Sequence, residues 1–250
     1  EDVPAGGGGV GLSFTGEMVR NEGSISGGDG GGIRSTLGSV FISAGAGGDG
    51  VVMRTGTLVN NATIAAGDGG SKIADPAPVY GATIVGGNGG IGVSGLGLRI
   101  FNNGSIMGGS GGVGEDAFRR PIGSGGAGIA GSDLFIVNSG TIAGGLSGDG
   151  EQAAAIIFTG GANRLELQAG WAITGRVDAS AGTDDRLVLG GNADSSIDVG
   201  SAGVEFRGFE HFEKTGTGTW TLTGVGMQDW SVSAGTLRGD ARSLGGDLAF

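Results

Sequence analysis

Short bursts of alternating aliphatic and polar residues punctuate this chain. Leu98 and Ile100, and again Leu134 and Ile136, alternate with residues of other kinds, the two-residue period of a strand. A five-residue phrase, Asn-x-[Gly/Ala]-[Ser/Thr]-Ile, occurs at 21–25, 60–64, 102–106 and 138–142. A fifth copy ending at Ile84 keeps Ala82 and Thr83 but has Tyr80 in place of the asparagine. An aliphatic residue precedes each asparagine by two: Val19, Leu58, Ile100 and Ile136. In an extended chain these residues share one face with the asparagine, the small residue and the isoleucine. The pattern predicts an interior stack of aliphatic side chains, with Ile25, Ile64, Ile84, Ile106 and Ile142 in one column. Beside it Asn21, Asn60, Asn102 and Asn138 form a ladder in which each amide bonds to those above and below.

Between the phrases lie Gly-[Asp/Asn/Ser]-Gly triplets centred on Asp29, Asp49, Asp68, Asn88 and Ser110, each about twenty positions after the one before. A unit of that length suits one coil of a parallel β-helix, an all-β solenoid. The triplets are then corners, where glycine supplies positive φ. At roughly 4.8 Å per stacked strand, about twelve coils make a rod of roughly 60 Å.

Composition agrees with such a fold and excludes others. Glycine is 63 of 250 residues, too much for a helical domain. Only 4 prolines and the absence of a strict every-third-residue glycine repeat exclude collagen. Hydrophobic residues at 38% and a mean hydropathy of +0.13 provide apolar surface to bury, against simple disorder. A net charge of -11 disfavours nucleic acid or an anionic membrane as partner. The longest apolar run, Ala153 to Phe158, is far too short to insert in a bilayer as a helix. Cysteine is absent, which suits a chain that crosses an oxidising compartment unfolded.

The organisation changes along the chain. Glycine falls from 45 in residues 1–150 to 18 in residues 151–250, and Trp171, Trp220 and Trp230 all lie in the latter. One continuous solenoid is expected, in three parts: glycine-rich repeats over 1–155, coils with a bulkier core over 156–200, and a capping segment over 201–250. Two stretches, 71–80 and 115–123, carry proline and read as loops leaving the rod.

The run from Gly208 to Gly224 (GFEHFEKTGTGTWTLTG) resembles the carboxy-terminal end of passenger domains in bacterial autotransporters. Asp184 to Gly191 (DDRLVLGG) and Ala234 to Leu237 (AGTL) fit the same family, and its specific part spans roughly residues 180–240. The resemblance implies a right-handed parallel β-helix exported through the periplasm to the cell surface or beyond. Its partner would be a carboxy-terminal outer-membrane β-barrel translocator, and a ligand on a host or bacterial cell surface would fit an adhesin. It also implies that about residues 201–250 fold first as an autochaperone. Phe206, Phe209, Phe212, Trp220, Leu222 and Trp230 are the apolar mass for that nucleus.

Chemistry is sparse. His211, the single histidine, lies inside the family-like run, and the adjacent Asp184 and Asp185 do not form a pair positioned to share a proton. Gly87-x-Gly89-x-x-Gly92 matches a dinucleotide fingerprint but is expected by chance in so glycine-rich a chain. Gly111 to Phe118 matches a calcium-binding nonapeptide once, whereas calcium rolls need tandem copies. No catalytic, cofactor or metal residues are assigned, and no enzyme is expected in this segment. Two alternatives stand beside the adhesin: a stalk for an upstream protease or lipase domain, and a calcium-binding repeat roll.

Overall fold

The computed structural model describes residues 5–34, 41–73, 83–115, 122–201 and 205–249. Among them are short β-strands and one 3-10 turn, Val199–Ser201, with no α-helix. The ladders between these strands are all parallel, as a β-helix requires.

The register sets the length of each coil. Asn21 lies beside Asn60, Asn60 beside Asn102 and Asn102 beside Asn138, so one turn takes 39, 42 and then 36 residues. From there the circumference shrinks, as Asn138 meets Leu167, Leu167 meets Leu189, Leu189 meets Lys214 and Lys214 meets Val232. Hydrogen bonds between these coils join Leu134 to Asn163, Asn163 to Asp185, Asp185 to Glu210 and Asp229 to Asp247, and so span 29, 22, 25 and 18 residues. The twenty-residue sequence period is therefore half a coil in the amino-terminal part, and a whole coil only near the carboxy terminus. Nine strands stack from Met18–Asn21 to Leu248–Ala249, which at roughly 4.8 Å each spans about 40 Å rather than 60.

Inward side chains form columns along the stack. Val19, Leu58, Ile100, Ile136, Leu165, Leu187, Phe212 and Trp230 make one. Val51, Val93, Ile129, Ile156, Val177 and Phe206 make a second. Ile25, Ile64, Ile106, Ile142 and Ile173 make a third. Ile84 does not join them. Its strand, Thr83–Val85, pairs with Phe41–Ser43, and Ile84 packs with Ile42, Ile33 and Ala44 in a small second core. The half-coil explains the displacement, because alternate twenty-residue units run on opposite sides of the coil.

A glycine laminate of two layers lies between the two cores. Segments 6–11, 44–50, 86–92 and 123–128 lead into the main strands, and segments 27–33, 66–72, 108–113 and 144–148 leave them. Within a layer the segments run parallel: Gly47 N–H donates to Asn88 O and Gly69 N–H to Ser110 O, at 2.8 and 2.7 Å. Between layers they run antiparallel, joined by two zigzags of glycine-to-glycine bonds. One runs from Gly28 to Gly9, Gly48 to Gly28, Gly67 to Gly48, Gly90 to Gly67, Gly109 to Gly90, Gly126 to Gly109 and Gly145 to Gly126, each donor bonding the glycine named second. The other, three residues away in each segment, joins Gly6, Gly31, Gly45, Gly70, Gly87, Gly112, Gly123 and Gly148. A three-residue period is that of a polyproline II helix.

Two of every three positions are closed to side chains. A Cβ on Gly69 would lie 1.9 Å from Gly87 O across the laminate, and one on Gly67 would lie 1.9 Å from Gly28 O in the coil before. The third position faces outward, and at five places its N–H is capped by a side chain of the preceding coil. Asp29 accepts from Asp68, Asp68 from Ser110, Asp49 from Ile91, Asn88 from Ser124 and Ser71 from Val113. These residues are rungs on a straight face, not centres of corners. None of the positive-φ glycines belongs to either zigzag. Glycine is needed here for closeness, not for turning.

True left-handed corners separate the first two columns. Thr55, Gly97 and Asp133 occupy this corner in successive coils with φ of 52°, 64° and 54°, and Asp184 repeats it with 64°. Glycine and aspartate tolerate that conformation, whereas a β-branched residue is strained in it by about 1–2 kcal/mol. Thr55→Gly should therefore raise stability by about 1 kcal/mol after the entropy of glycine is subtracted. A urea midpoint equal to or below that of the parent protein would contradict this.

Candidate functional site: the carboxy-terminal coils

The Asn-x-Gly corner of the amino-terminal coils shows what each level needs. Asn21 Nδ2 donates to Asn60 Oδ1, Asn60 Nδ2 to Asn102 Oδ1 and Asn102 Nδ2 to Asn138 Oδ1, at 2.7, 2.8 and 2.8 Å. Asn60 Nδ2 also reaches Ala62 O in its own corner and Ser105 O in the next coil, both at 3.1 Å. The amides thus add a second hydrogen bond at each bend, where Ala62 O also accepts the Ser105 backbone N–H at 2.8 Å. A second, exposed ladder runs outside it: Asn61 donates to Glu22, Asn103 to Asn61, and Ser139 to Asn103.

Leu167 and Leu189 follow in the asparagine column, and then Lys214. Lys214 is fully buried, and its Nζ donates to the carbonyls of Thr215, Gly216 (3.0 Å) and Ala234 (3.2 Å). One ammonium group thereby serves its own corner and the following coil, as Asn60 does. Burial pushes the Lys214 pKa down. The sequence held a sign of this role, since Lys214-Thr215-Gly216 repeats the x-Gly spacing of Asn21-Glu22-Gly23 and Asn102-Asn103-Gly104.

Around this corner the core thickens with aromatic rings. Trp220 is fully buried and its indole N–H donates to Gly190 O at 2.8 Å. Phe206, Leu222 and Trp230 are also buried, while Phe209 and Phe212 pack half-buried against the same core. Phe212 tilts against Trp230 with centroids 5.5 Å apart, and Phe209 meets Phe158 edge-on at 6.1 Å. The six residues share one apolar cluster with the amino-terminal columns, so the main core is continuous along the stack.

Polar groups line the opposite corner. His211 Nε2 lies 2.7 Å from Asp184 Oδ1, and Arg186 reaches both Asp184 (3.1 Å) and Glu213 (2.5 Å) on the exposed sheet face. Asp184 and Asp185 are separated by the chain itself, Asp184 facing outward and Asp185 buried. Among the described residues no three His, Cys, Asp or Glu side chains converge in a way that could hold a metal ion. Gly111 and Gly112 of the calcium-like nonapeptide belong to the laminate, and its residues 116–118 lie outside the described residues, as do Tyr80 and most of both proline-bearing stretches.

Compared with known protein families, curated proteins and solved structures, the chain matches none. Its functional reading therefore rests on its own residues.

Proposed function

We propose that this chain is the passenger segment of a bacterial autotransporter: a non-enzymatic β-helical stalk or adhesin whose carboxy-terminal coils nucleate folding during export. The observation that carries the reading is the uneven distribution of apolar mass. In the laminate, backbone meets backbone through glycine, so a coil that buries the aliphatic side chains of Val51, Met53, Leu58, Ile64 and Ile84 must order about 40 residues to do so. The coils around Trp220 and Trp230 order fewer residues per turn and bury large rings. A first coil formed there would offer a ready parallel edge to the next.

In this scheme the chain crosses the periplasm unfolded, leaves through an outer-membrane β-barrel, and folds outside from its carboxy-terminal end. Cell-surface ligands of a host or a neighbouring bacterium are its partners. Refolding kinetics provide the test. Trp220→Phe should slow refolding nearly in proportion to the stability it removes, and Ile25→Val should leave the refolding rate unchanged while speeding unfolding. Fused ahead of an autotransporter barrel, the parent chain should become accessible to external protease and Trp220→Ala should be retained. Equal effects at residues 25 and 220, or undiminished display of Trp220→Ala, would count against the reading.

A further inference from the structure

Asp185 belongs to a column of side chains that accept backbone N–H groups from neighbouring coils. Asn163 Oδ1 accepts Leu134 N–H, Asp185 Oδ1 accepts Asn163 N–H, and Glu210 Oε2 accepts Asp185 N–H, at 2.8, 2.7 and 2.7 Å. Asn163 and Asp185 differ in their second terminal atom. Asn163 Nδ2 is a donor, giving its hydrogens to Gly160 O, three residues back, at 3.0 Å and to Asp185 Oδ1 at 2.8 Å. Asp185 Oδ2 lies beside Gly182, also three residues back, so close that a Cβ there would come within 2.2 Å of it. This oxygen is buried and has no hydrogen-bond partner.

An ionised carboxylate at this point keeps one charged oxygen away from water with nothing to bond it. A neutral carboxyl has a donor where Asn163 has one. The surrounding charges favour the neutral form. Glu210 on the following coil and the adjacent Asp184 are negative, and Asp133 on an earlier coil accepts the N–H of Ala162 next to Asn163. The nearby cations, Arg186 and His211, are turned to Asp184 and Glu213. Burial pushes the Asp185 carboxyl above the usual aspartate range, and Glu210 and Asp184 add to it, against the hydrogen bonds from Asn163.

We propose that Asp185 is a proton-binding switch of the folded solenoid: its neutral carboxyl donates within its own corner as Asn163 does, and ionisation loosens the joint between the Asn163 and Glu210 coils. The proposal does not depend on export or on a surface ligand. A group that holds its proton more tightly when folded stabilises the fold on the acid side. The stability linked to Asp185 is fully present below about pH 3.9, the unfolded value, and is lost as pH rises through the folded one.

The test compares urea unfolding of the parent protein and Asp185→Asn between pH 4 and 8, together with carbon-13 NMR of the Asp185 carboxyl in the parent protein. Asp185→Asn carries its donor at every pH, so it should have the higher midpoint at pH 7.5, and the difference should close toward pH 4. The carboxyl carbon should titrate above the range of a free aspartate. A difference independent of pH, a less stable Asp185→Asn at pH 7.5, or a carboxyl titrating at or below about pH 3.9 would each overturn the proposal. The NMR titration decides the matter if the variant does not fold.

Discussion

Gly67→Ala is expected to unfold the amino-terminal half of the solenoid while leaving the tryptophan-bearing coils folded. The added Cβ would lie 1.9 Å from Gly28 O, and that atom is backbone fixed on both sides, not the end of a side chain that could swing away. Gly67 cannot shift either, because its N–H is committed to Gly48 O and its carbonyl accepts Gly90 N–H. Overpacking of a well-ordered core costs about 1–3 kcal/mol, and each buried backbone group left without a partner adds about 1–3 kcal/mol. Together these exceed about 4 kcal/mol, at the extreme of single-substitution effects. Gly23→Ala is the control, since nothing lies within 4 Å of a Cβ there. Circular dichroism should show lost β signal in Gly67→Ala and a parent-like curve for Gly23→Ala. Trp171, Trp220 and Trp230 should meanwhile report a near-normal transition from the carboxy-terminal half. Similar midpoints for the two variants would refute the close-packed laminate.

Lys214→Met should destabilise the carboxy-terminal coils by about 3 kcal/mol, despite exchanging a buried cation for an apolar side chain of similar length. Removing the ammonium group relieves its own desolvation. The larger effect lies with what remains: the carbonyls of Thr215, Gly216 and Ala234 lose their shared donor in a corner where Lys214 is fully buried. An acceptor left unpaired out of water costs about 1–3 kcal/mol; exposed Ala234 can turn to solvent, but the half-buried Thr215 and Gly216 carbonyls together outweigh the relief. Tryptophan fluorescence in a urea titration reads the loss directly, because Trp220 follows Lys214 by six residues and Trp230 precedes Ala234 by four. A midpoint unchanged or raised in Lys214→Met would show that the corner does not need its donor.

Much of this architecture can be read from residue order alone, and the reason is repetition. Identical residues stacked in register, such as Asn21, Asn60 and Asn102, leave a direct trace in the sequence. Coil length leaves a misleading one. Ile64 and Ile84 occur in similar phrases, yet they occupy opposite ends of a flattened cross-section, and local periodicity cannot say which units close a turn. The glycine triplets mislead for a related reason. Aspartate between glycines suits a corner, but it equally suits a straight segment whose outward N–H groups need an acceptor one coil away. A clue lies in the spacing of pairs such as Gly27-Gly28 and Gly30-Gly31, or Gly86-Gly87 and Gly89-Gly90, which recur every three residues rather than every two. Lys214 is visible as a residue of the autotransporter-like run, though its duty as corner donor appears only when the asparagine column is followed to its end. Asp185 has no such trace, since its unpartnered oxygen depends on three coils at once.

The taper from wide coils, where Asn60 and Asn102 are neighbours, to narrow ones, where Lys214 and Val232 are, also constrains how such a molecule can change in size. A coil inserted between two neighbours of equal girth meets matching edges on both sides. In the glycine-rich half that means adding two sequence units together, one for each layer. A single duplicated unit would set an outgoing segment where an incoming one belongs, reversing its direction against every neighbour. Toward the narrow end no two successive turns are alike, so no unit can be copied there without mismatch. Lengthening by duplication is thus confined to the wide end, in steps of one whole coil, and the narrow end stays constant beneath it.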